Sequence, residues 1–519
     1  MQSIWMFLKK MIEIDNILYF YKYKMIGLYD ITEEDFDDIL EMTRKKSIMK
    51  FIGNGKVWNE EKVSKFISYN LEEQNQHRNQ RQNYYYKIVF SEDNEKVFVG
   101  IIGAHTMKGR KGFYLTVMIE KEYQGMGYYR EALELLKEVL KRERINTDRL
   151  KSLVRKSNKR MNEISMGRYY FNEEIRFNGE EFNEYFIFLR KLTYLFKTES
   201  LDMKMIGMMM KERGIWRPFR QGKDRNPDFL HVDAGYHYDK SLYKYRTLLK
   251  NILVNNEDRV TNKDNLYKNL SEIRGGKKYL LENYNVNVDD KRENYKKVFK
   301  KDSVWIMKPV DSYAGRGIEI LQSYDDFLKY FEDVKGMDLL GSKKERFVLQ
   351  QYIKNPLLYK GRKFHLRYHF ICYNGSFLPI KNVQVITAAK KFKLEDFHNK
   401  DIHDSHFKDS LREVYFPHSF KELSKDEIDY VNNQFIDCLD KCVSLVNFKC
   451  WPETKNCYQT FGADFMILDD LSVKLLEING KISLKLGVGK YVDGDITYND
   501  ALFRDELEFV VDKVFPPSI

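Results

Sequence analysis

Cysteine is scarce. The 519 residues hold five, Cys372, Cys438, Cys442, Cys450 and Cys457, in no spacing that suits a zinc site. Cys438 and Cys442 fall one turn apart on an expected helix, where burial is the ordinary outcome. So few cysteines exclude a disulfide framework and fit a reducing compartment, the cytoplasm. No apolar run is long enough and free enough of charge to cross a membrane. The apolar N-terminal extension, residues 1–24, carries Lys9, Lys10, Glu13 and Asp15, so it reads as neither a clean signal peptide nor a span. It is either an amphipathic extension or lies ahead of a start at Met25. Low-complexity tracts and internal repeats are absent, and the polar run 72–83 reads as a helix end or exposed loop.

What is present supports large cores: 43% of residues are hydrophobic and 15% aromatic. The length suggests about two to four domains. A net charge of +11 and a pI near 8.9 favour an acidic partner, whether a nucleotide, a nucleic acid or an acidic polypeptide. Nucleic acid is disfavoured, because no basic stripe interleaves with aromatics; KERGIWRPFR is short and isolated.

In the first half, ITEEDFDDILEM offers Thr32 as a cap with acids in the first turn. Residues 59–72 carry a helical apolar stripe. Three β-rich runs follow, 84–90, 97–104 and 112–119, the last holding Met118. A turn, Gln124, Gly125, Met126, Gly127, then feeds a long amphipathic helix from Tyr128. Glycines there let backbone approach a ligand, and amides at a helix start bind phosphate.

In the second half, 304–307 reads as a strand with Lys308 at its end. A loop with Gly315, Arg316 and Gly317 follows, then a returning strand. A lysine in that place can hold phosphates that the loop covers. Residues 347–353, with Gln350, Gln351, Tyr352 and Ile353, can offer backbone groups to a purine edge. From 360 the chain alternates, so Lys363 and Arg367 share one face of a strand running to Tyr373. Near the C-terminus two apolar runs, 463–468 and 473–478, flank an Asp-Asp-Leu-Ser turn, which is a hairpin pattern. Glu477 and Asn479 point to one face, and Asp464 can share it across the hairpin. Three hard oxygen ligands suit magnesium that also takes phosphate oxygens. His398, His403 and His406 lie among Asp401 and Asp404, where a polar loop is the simpler reading than a metal site.

Two resemblances follow from these motifs. Gln124-Gly125-Met126-Gly127-Tyr128 after a strand resembles the coenzyme A segment of the GNAT acetyltransferases. The resemblance covers roughly residues 24–196, a domain bounded at 25–198. It implies acetyl-CoA bound by Met118, Gln124, Gly125, Met126, Gly127 and Tyr128, with Asn158 or Asn162 touching the cofactor. Tyr169 would protonate the leaving thiolate; Glu120 is a base by position only. Departures are Tyr129 at a normally small position and Tyr170-Phe171 in place of Gly-Phe.

Residues 199–519 resemble an ATP-grasp enzyme of the tubulin tyrosine ligase-like family. Trp305–Gly317 matches its Trp-Ile-x-Lys-Pro…Gly-Arg-Gly, and 350–367 its Gln-x-Tyr-Ile-x-x-Pro-Leu-Leu…Gly-Arg-Lys-Phe-x-Leu-Arg. Leu476-Glu477-Ile478-Asn479 matches its Leu-Glu-x-Asn. The resemblance implies that Lys308, Gly315, Arg316, Gly317, Gln350, Gln351, Tyr352, Ile353, Lys354 and Lys363 bind ATP. Asp464, Glu477 and Asn479 would hold Mg2+, and Arg367 would stabilise the acyl-phosphate and its attack. An arginine expected near 386 is missing, with Lys390 or Lys391 as replacements for its charge. The segments 402–405 and 479–483 also depart from the family.

The expected fold is thus α/β and α+β: a GNAT-like mixed sheet with helices, then an ATP-grasp fold. The expected activity is ATP-dependent ligation of a free amino acid to a carboxylate on an acidic polypeptide, tubulin or another protein, with no membrane partner. Two rivals stand beside it. In one, acetyl transfer is the main activity and the C-terminal half binds ATP or catalyses nothing. In the other, the chain is a non-enzymatic interaction protein.

Overall fold

The computed structural model describes residues 26–77, 80–92, 95–143, 145, 147–198, 203–232, 240–254, 256–310, 317–333, 346–380, 383–397, 399–403, 414–452, 454–480 and 498–517. Gly315, Arg316, His398, Asp404, His406 and residues 481–483 lie outside them. The chain divides into two compact units, residues 1–191 with 513–519, and residues 192–512. The strand Leu192–Lys197 sits in the second unit's sheet, pairing in parallel with Phe229–Val232, ahead of the boundary expected after 198. Among the described residues no helix is long and apolar enough to cross a membrane.

The first unit is built on a seven-stranded sheet. Its entry helix forms as the sequence implies: Thr32 and Asp35 make a capping box, the Thr32 amide donating to Asp35 Oδ2 at 2.7 Å. Asn59 caps the helix Glu60–Gln74. The strands Asn83–Glu92, Glu95–Thr106 and Phe113–Ile119 make an antiparallel meander. The helix Tyr128–Arg142 buries Ala132, Leu133, Leu136, Val139 and Leu140 against it. Phe113–Ile119 then meets Arg149–Arg155 in parallel, but the pairing covers only Phe113↔Leu150 and Tyr114↔Lys151. Beyond that the two strands part.

The second unit holds a large mixed sheet and a four-stranded antiparallel sheet. The smaller one orders Asn283–Asn287, Arg346–Gln351, Trp305–Pro309 and Glu319–Leu321, with the helix Tyr324–Asp333 packed on it through Phe327, Tyr330 and Phe331. In the larger sheet the long strands Arg362–Tyr373 and Thr454–Ile467 are antiparallel neighbours, and Thr454–Ile467 continues into the hairpin with Val473–Asn479. Side-chain alternation divides the work. Phe364, Leu366, Tyr368, Phe370, Ala463 and Phe465 face a core shared with Phe435, Cys438, Leu439 and Cys442 of the helix Lys425–Leu445. Lys363, His365, Arg367, His369 and Asp464 therefore face the other way. Burying that many aromatics on one face fixes the register, since a one-residue slip would exchange the faces.

Candidate active sites

In the second unit the hairpin brings the expected carboxylates together. Asp464 and Glu477 are directly opposed in register, with a bulge after Asp464, and Asp464 is also opposite Arg367. The Arg367 guanidinium grips Asp464 with two nitrogens, Nη2 donating to Oδ2 at 2.8 Å. Asn479 Nδ2 donates to Glu477 Oε1 at 3.1 Å. Lys263, at the start of the helix Lys263–Glu272, places its Nζ 3.0 Å from Glu477 Oε2. Burial pushes Asp464 up to about 6, with Arg367 pulling against it. Burial works upward on Glu477 too, but Lys263, Asn479 and Arg367 outweigh it and hold that carboxyl well below the usual range.

Lys308 faces this pair from the smaller sheet. It is buried, and its Nζ donates to Gln350 Oε1 at 2.7 Å. Gln350 Nε2 in turn donates to the Tyr267 hydroxyl at 2.9 Å, and Tyr267 donates to the carbonyl of Leu476, beside Glu477. This relay ties the lysine's strand to the hairpin. Burial draws the Lys308 ammonium down to about 8, while the charges of Glu477 and Asp464 resist and Lys263 assists.

Of the remaining expected residues, Lys363 and Tyr352 are in contact. Lys363 Nζ donates to the Tyr352 hydroxyl at 2.9 Å and lies 4.2 Å from the ring centroid. The Gln351 amide is paired with Glu282 O at 2.8 Å and that of Tyr352 with Val304 O at 2.9 Å. Ile353 is buried, and Lys354 reaches Asp302 O. Gly317 has φ +70° and accepts from Tyr330 at its carbonyl, 2.7 Å away.

Three further details bear on the site. The helix Lys263–Glu272 starts after Asn262, and Asp264 pairs with Arg346 at 2.8 Å. The place of the missing arginine is held by buried Ile386, opposite His365. Lys390 does not replace it, because its Nζ is at the surface, 2.6 Å from Asp401 Oδ2, while Lys391 lies against Gly361. His403 uses both ring nitrogens in hydrogen bonds, and no metal-binding group of three His, Cys, Asp or Glu occurs among the described residues. Sequence reasoning missed Lys263 and Tyr267; their i, i+4 spacing puts both on one helix face, but no motif marked that face.

In the first unit the strand that parts from its neighbour leads into the glycine turn. Gly125 and Gly127 have φ +87° and +91°, and Gly127 caps the helix Tyr128–Arg142. Gln124 Nε2 holds the Ile119 carbonyl at 2.9 Å. Met118 and Tyr128 are buried, and Met126 is 47% exposed. The Tyr169 hydroxyl lies 2.9 Å from that of Tyr129. Burial raises Tyr169, while the Tyr129 hydrogen bond and Arg168 oppose the rise. Asn158 caps the helix Lys159–Met166, accepting from Met161 N at 3.3 Å. Asn162 is buried, donating to Arg155 O at 2.9 Å and Asn158 O at 3.0 Å, and accepting from Asn183 at 2.8 Å and Tyr185 at 3.1 Å. Its amide is committed to holding the two strands and the helix together. Glu120 is paired with Lys45, both oxygens at 3.0 Å.

These donor sets suit the implied ligands. Two carboxylates and an amide on one wall, with a lysine anchored by an uncharged amide opposite, fit a magnesium-bound triphosphate. A strand edge that loses its partner beside a glycine-led helix start fits the amide-bearing arm and phosphates of coenzyme A. The first arrangement could hold a nucleotide with its metal, and the second an acyl carrier.

Comparison with known proteins agrees. Residues 26–166 match the model of the acetyltransferase (GNAT) domain, and residues 248–406 and 419–492 that of the tubulin-tyrosine ligase family. The chain thus carries a region that matches the GNAT acetyltransferase domain followed by one that matches the tubulin-tyrosine ligase family. It is 27% identical over 268 residues to a probable tubulin–tyrosine ligase, PBY1, of Saccharomyces cerevisiae, covering 41% of this chain and 34% of that one. It is 27% identical to tubulin glycylase 3C of Tetrahymena thermophila, covering 36% and 18%. With a probable tubulin polyglutamylase, ttll-9, of Caenorhabditis elegans the figures are 25%, 48% and 64%. The chain thus spans less than two thirds of the length of each of these relatives. A solved structure, the C-terminal domain of K. lactis Pby1, described as an ATP-grasp enzyme interacting with the mRNA decapping enzyme Dcp2, aligns over 64% of this chain and 96% of that one. Its TM-score of 0.46 and 18% identity do not by themselves decide the fold.

Proposed function

We propose that the C-terminal domain, residues 199–519, is an ATP-dependent ligase that joins a free amino acid to a carboxylate of a protein. The observation that carries this reading is the relay from Lys308 through Gln350 and Tyr267 to the strand bearing Glu477. It ties a phosphate-binding lysine to the carboxylate pair. In the reaction the γ-phosphoryl group passes from ATP to a carboxylate oxygen and ADP leaves. The amine nitrogen then attacks that carbonyl carbon, the C–O bond to phosphate breaks, and the amine loses a proton. Asp464, Glu477 and Asn479 would hold Mg2+, whose part is to offset charge on the transferring phosphate. Lys308 and Lys363 would grip the nucleotide, with Gln350, Gln351, Tyr352, Ile353 and Gly317 as further contacts; the family motif adds Gly315 and Arg316, which lie outside the described residues. Arg367 orients Asp464 and faces the developing charge.

The acceptor is an acidic polypeptide, tubulin or another protein. The net charge of +11 supports that choice, and so do the tubulin-modifying names of the relatives. Five unpaired thiols support a cytoplasmic setting. The N-terminal domain, residues 25–198, would take acetyl-CoA where the two strands part, with the glycine turn at its phosphates and Tyr169 as proton donor. Incubation of the full chain with ATP, Mg2+ and a labelled amino acid in the presence of candidate acceptors should label a protein, and Glu477→Ala should abolish the labelling. Labelling that survives that substitution would refute the ligase assignment.

A further inference from the structure

His403 stands outside every role assigned so far, yet its surroundings are specific. It ends the short helix Lys400–His403. Its Nε2 lies 2.9 Å from the carbonyl oxygen of Asp396 and its Nδ1 lies 2.7 Å from the Tyr352 hydroxyl. A carbonyl can only accept, so Nε2 carries the ring proton and Nδ1 accepts. Tyr352 must then spend its single proton on His403, which leaves an oxygen lone pair to receive Lys363 Nζ at 2.9 Å. With a neutral ring, every donor and acceptor direction in the chain from Lys363 to Asp396 follows from that carbonyl.

The ring is held as firmly as its hydrogen bonds. It stacks on Phe397, centroids 5.7 Å apart at 18°, and meets Phe392 and Tyr352 edge-on, each at 5.8 Å. The same segment is tied back to the strand that bears Lys363: the Phe392 amide donates to Gly361 O and the Ala388 amide to Lys363 O, both at 2.8 Å. Burial, aided by the Lys363 charge, draws the imidazole down to about 4 although the Asp396 carbonyl opposes this. The ring is therefore neutral near pH 7 and able to accept.

We propose that His403 is a positioning residue for nucleotide binding: by taking the proton of Tyr352 it turns that phenol's lone pair toward Lys363 and holds the ammonium on the site face. The inference rests on the reading of this face as an ATP site. It couples the helix Lys400–His403 to the nucleotide through two side chains.

The test is calorimetry of Mg-ATP binding to the full chain. His403→Phe keeps the stacked ring but removes the acceptor, and should weaken binding roughly five- to tenfold, the worth of one hydrogen bond. His403→Asn returns an acceptor near the Nδ1 position and should recover most of the affinity, which a purely structural role would not allow. Lys363→Met should weaken binding by itself, and adding His403→Phe to it should cost nothing more. Binding by His403→Phe equal to the wild type, or additive losses in the double variant, would overturn the relay while leaving the ATP site standing. Absence of Mg-ATP binding by the wild type would overturn the ATP reading itself, and the relay with it.

Discussion

Lys308 offers a test with two opposite signs. Its ammonium is buried and drawn down to about 8, against a usual value near 10.4. If only the charged form grips phosphate, affinity for Mg-ATP follows the fraction still protonated. That fraction is about nine tenths at pH 7 and about one tenth at pH 9, so the dissociation constant should rise roughly tenfold between them. An ordinary lysine would lose almost nothing over that range. Stability moves the other way. Between pH 8 and the unfolded value the unfolded chain binds more protons at this site than the folded one, so this residue's contribution rises with pH, by at most about 3 kcal/mol across the window. Lys308→Met removes the charge and keeps the length. Isothermal calorimetry of Mg-ATP and thermal melts of both proteins, at half-unit steps from pH 7 to 10, read both effects as differences from the variant. A flat affinity in the wild type, or the same pH dependence in Lys308→Met, would refute the placement of this ammonium at the phosphates.

Two further predictions come from single contacts. Tyr267→Phe strips the relay of the hydroxyl that joins Gln350 to Leu476 O, so the chain should lose about 1–2 kcal/mol of stability and bind Mg-ATP more weakly; an unchanged melting temperature would mean the relay bears no strain on either side. Gly127→Ala forces a side chain onto a backbone at φ +91° at the start of a long helix, which should cost about 1 kcal/mol and weaken acetyl-CoA binding by calorimetry; full acetyl-CoA affinity in a folded variant would remove the glycine turn from that site.

Much of this arrangement was legible in the sequence where alternation and turns set it. The hairpin of residues 463–478 was readable because its apolar runs bracket a turn, and its two carboxylates fall opposite each other by that register. The strand from 360 was readable for the same reason, since one parity is aromatic and the other carries Lys363 and Arg367. What the sequence hid depends on contacts between distant segments. Nothing local in TNKDNLYKNL says that Lys263 will meet Glu477 or that Tyr267 will reach Leu476. The same holds for Ile386, whose meaning appears only when it is set opposite His365. In the first unit Tyr129 reads as an obstacle to a small-residue position, but its hydroxyl turns to Tyr169. Asn162 reads as a cofactor contact, but two strands and a helix occupy its amide. A side chain with several possible partners takes the ones that tertiary packing brings, and motif spacing does not specify those.

The charge pairing at the carboxylates leads to a last expectation. Glu477 is already engaged by Lys263 and Asn479, and Asp464 by Arg367. A divalent cation arriving alone must displace two largely buried cationic side chains from oxygens they hold, which is costly. A cation arriving with a triphosphate brings the negative charge that can take over Lys263 and Arg367. On the proposed reading the pair would discriminate against free metal. Titration of the chain with MgCl2 alone should show only weak binding, in the millimolar range or above ~1 mM, whereas the metal should bind far more tightly once ATP is present. The order can be read directly by calorimetry with and without nucleotide, and by repeating it on Lys263→Met. Removing that competing ammonium should strengthen the binding of metal alone and weaken the binding of Mg-ATP. Tight metal binding by the wild type without nucleotide would show that the two cations do not compete for these oxygens.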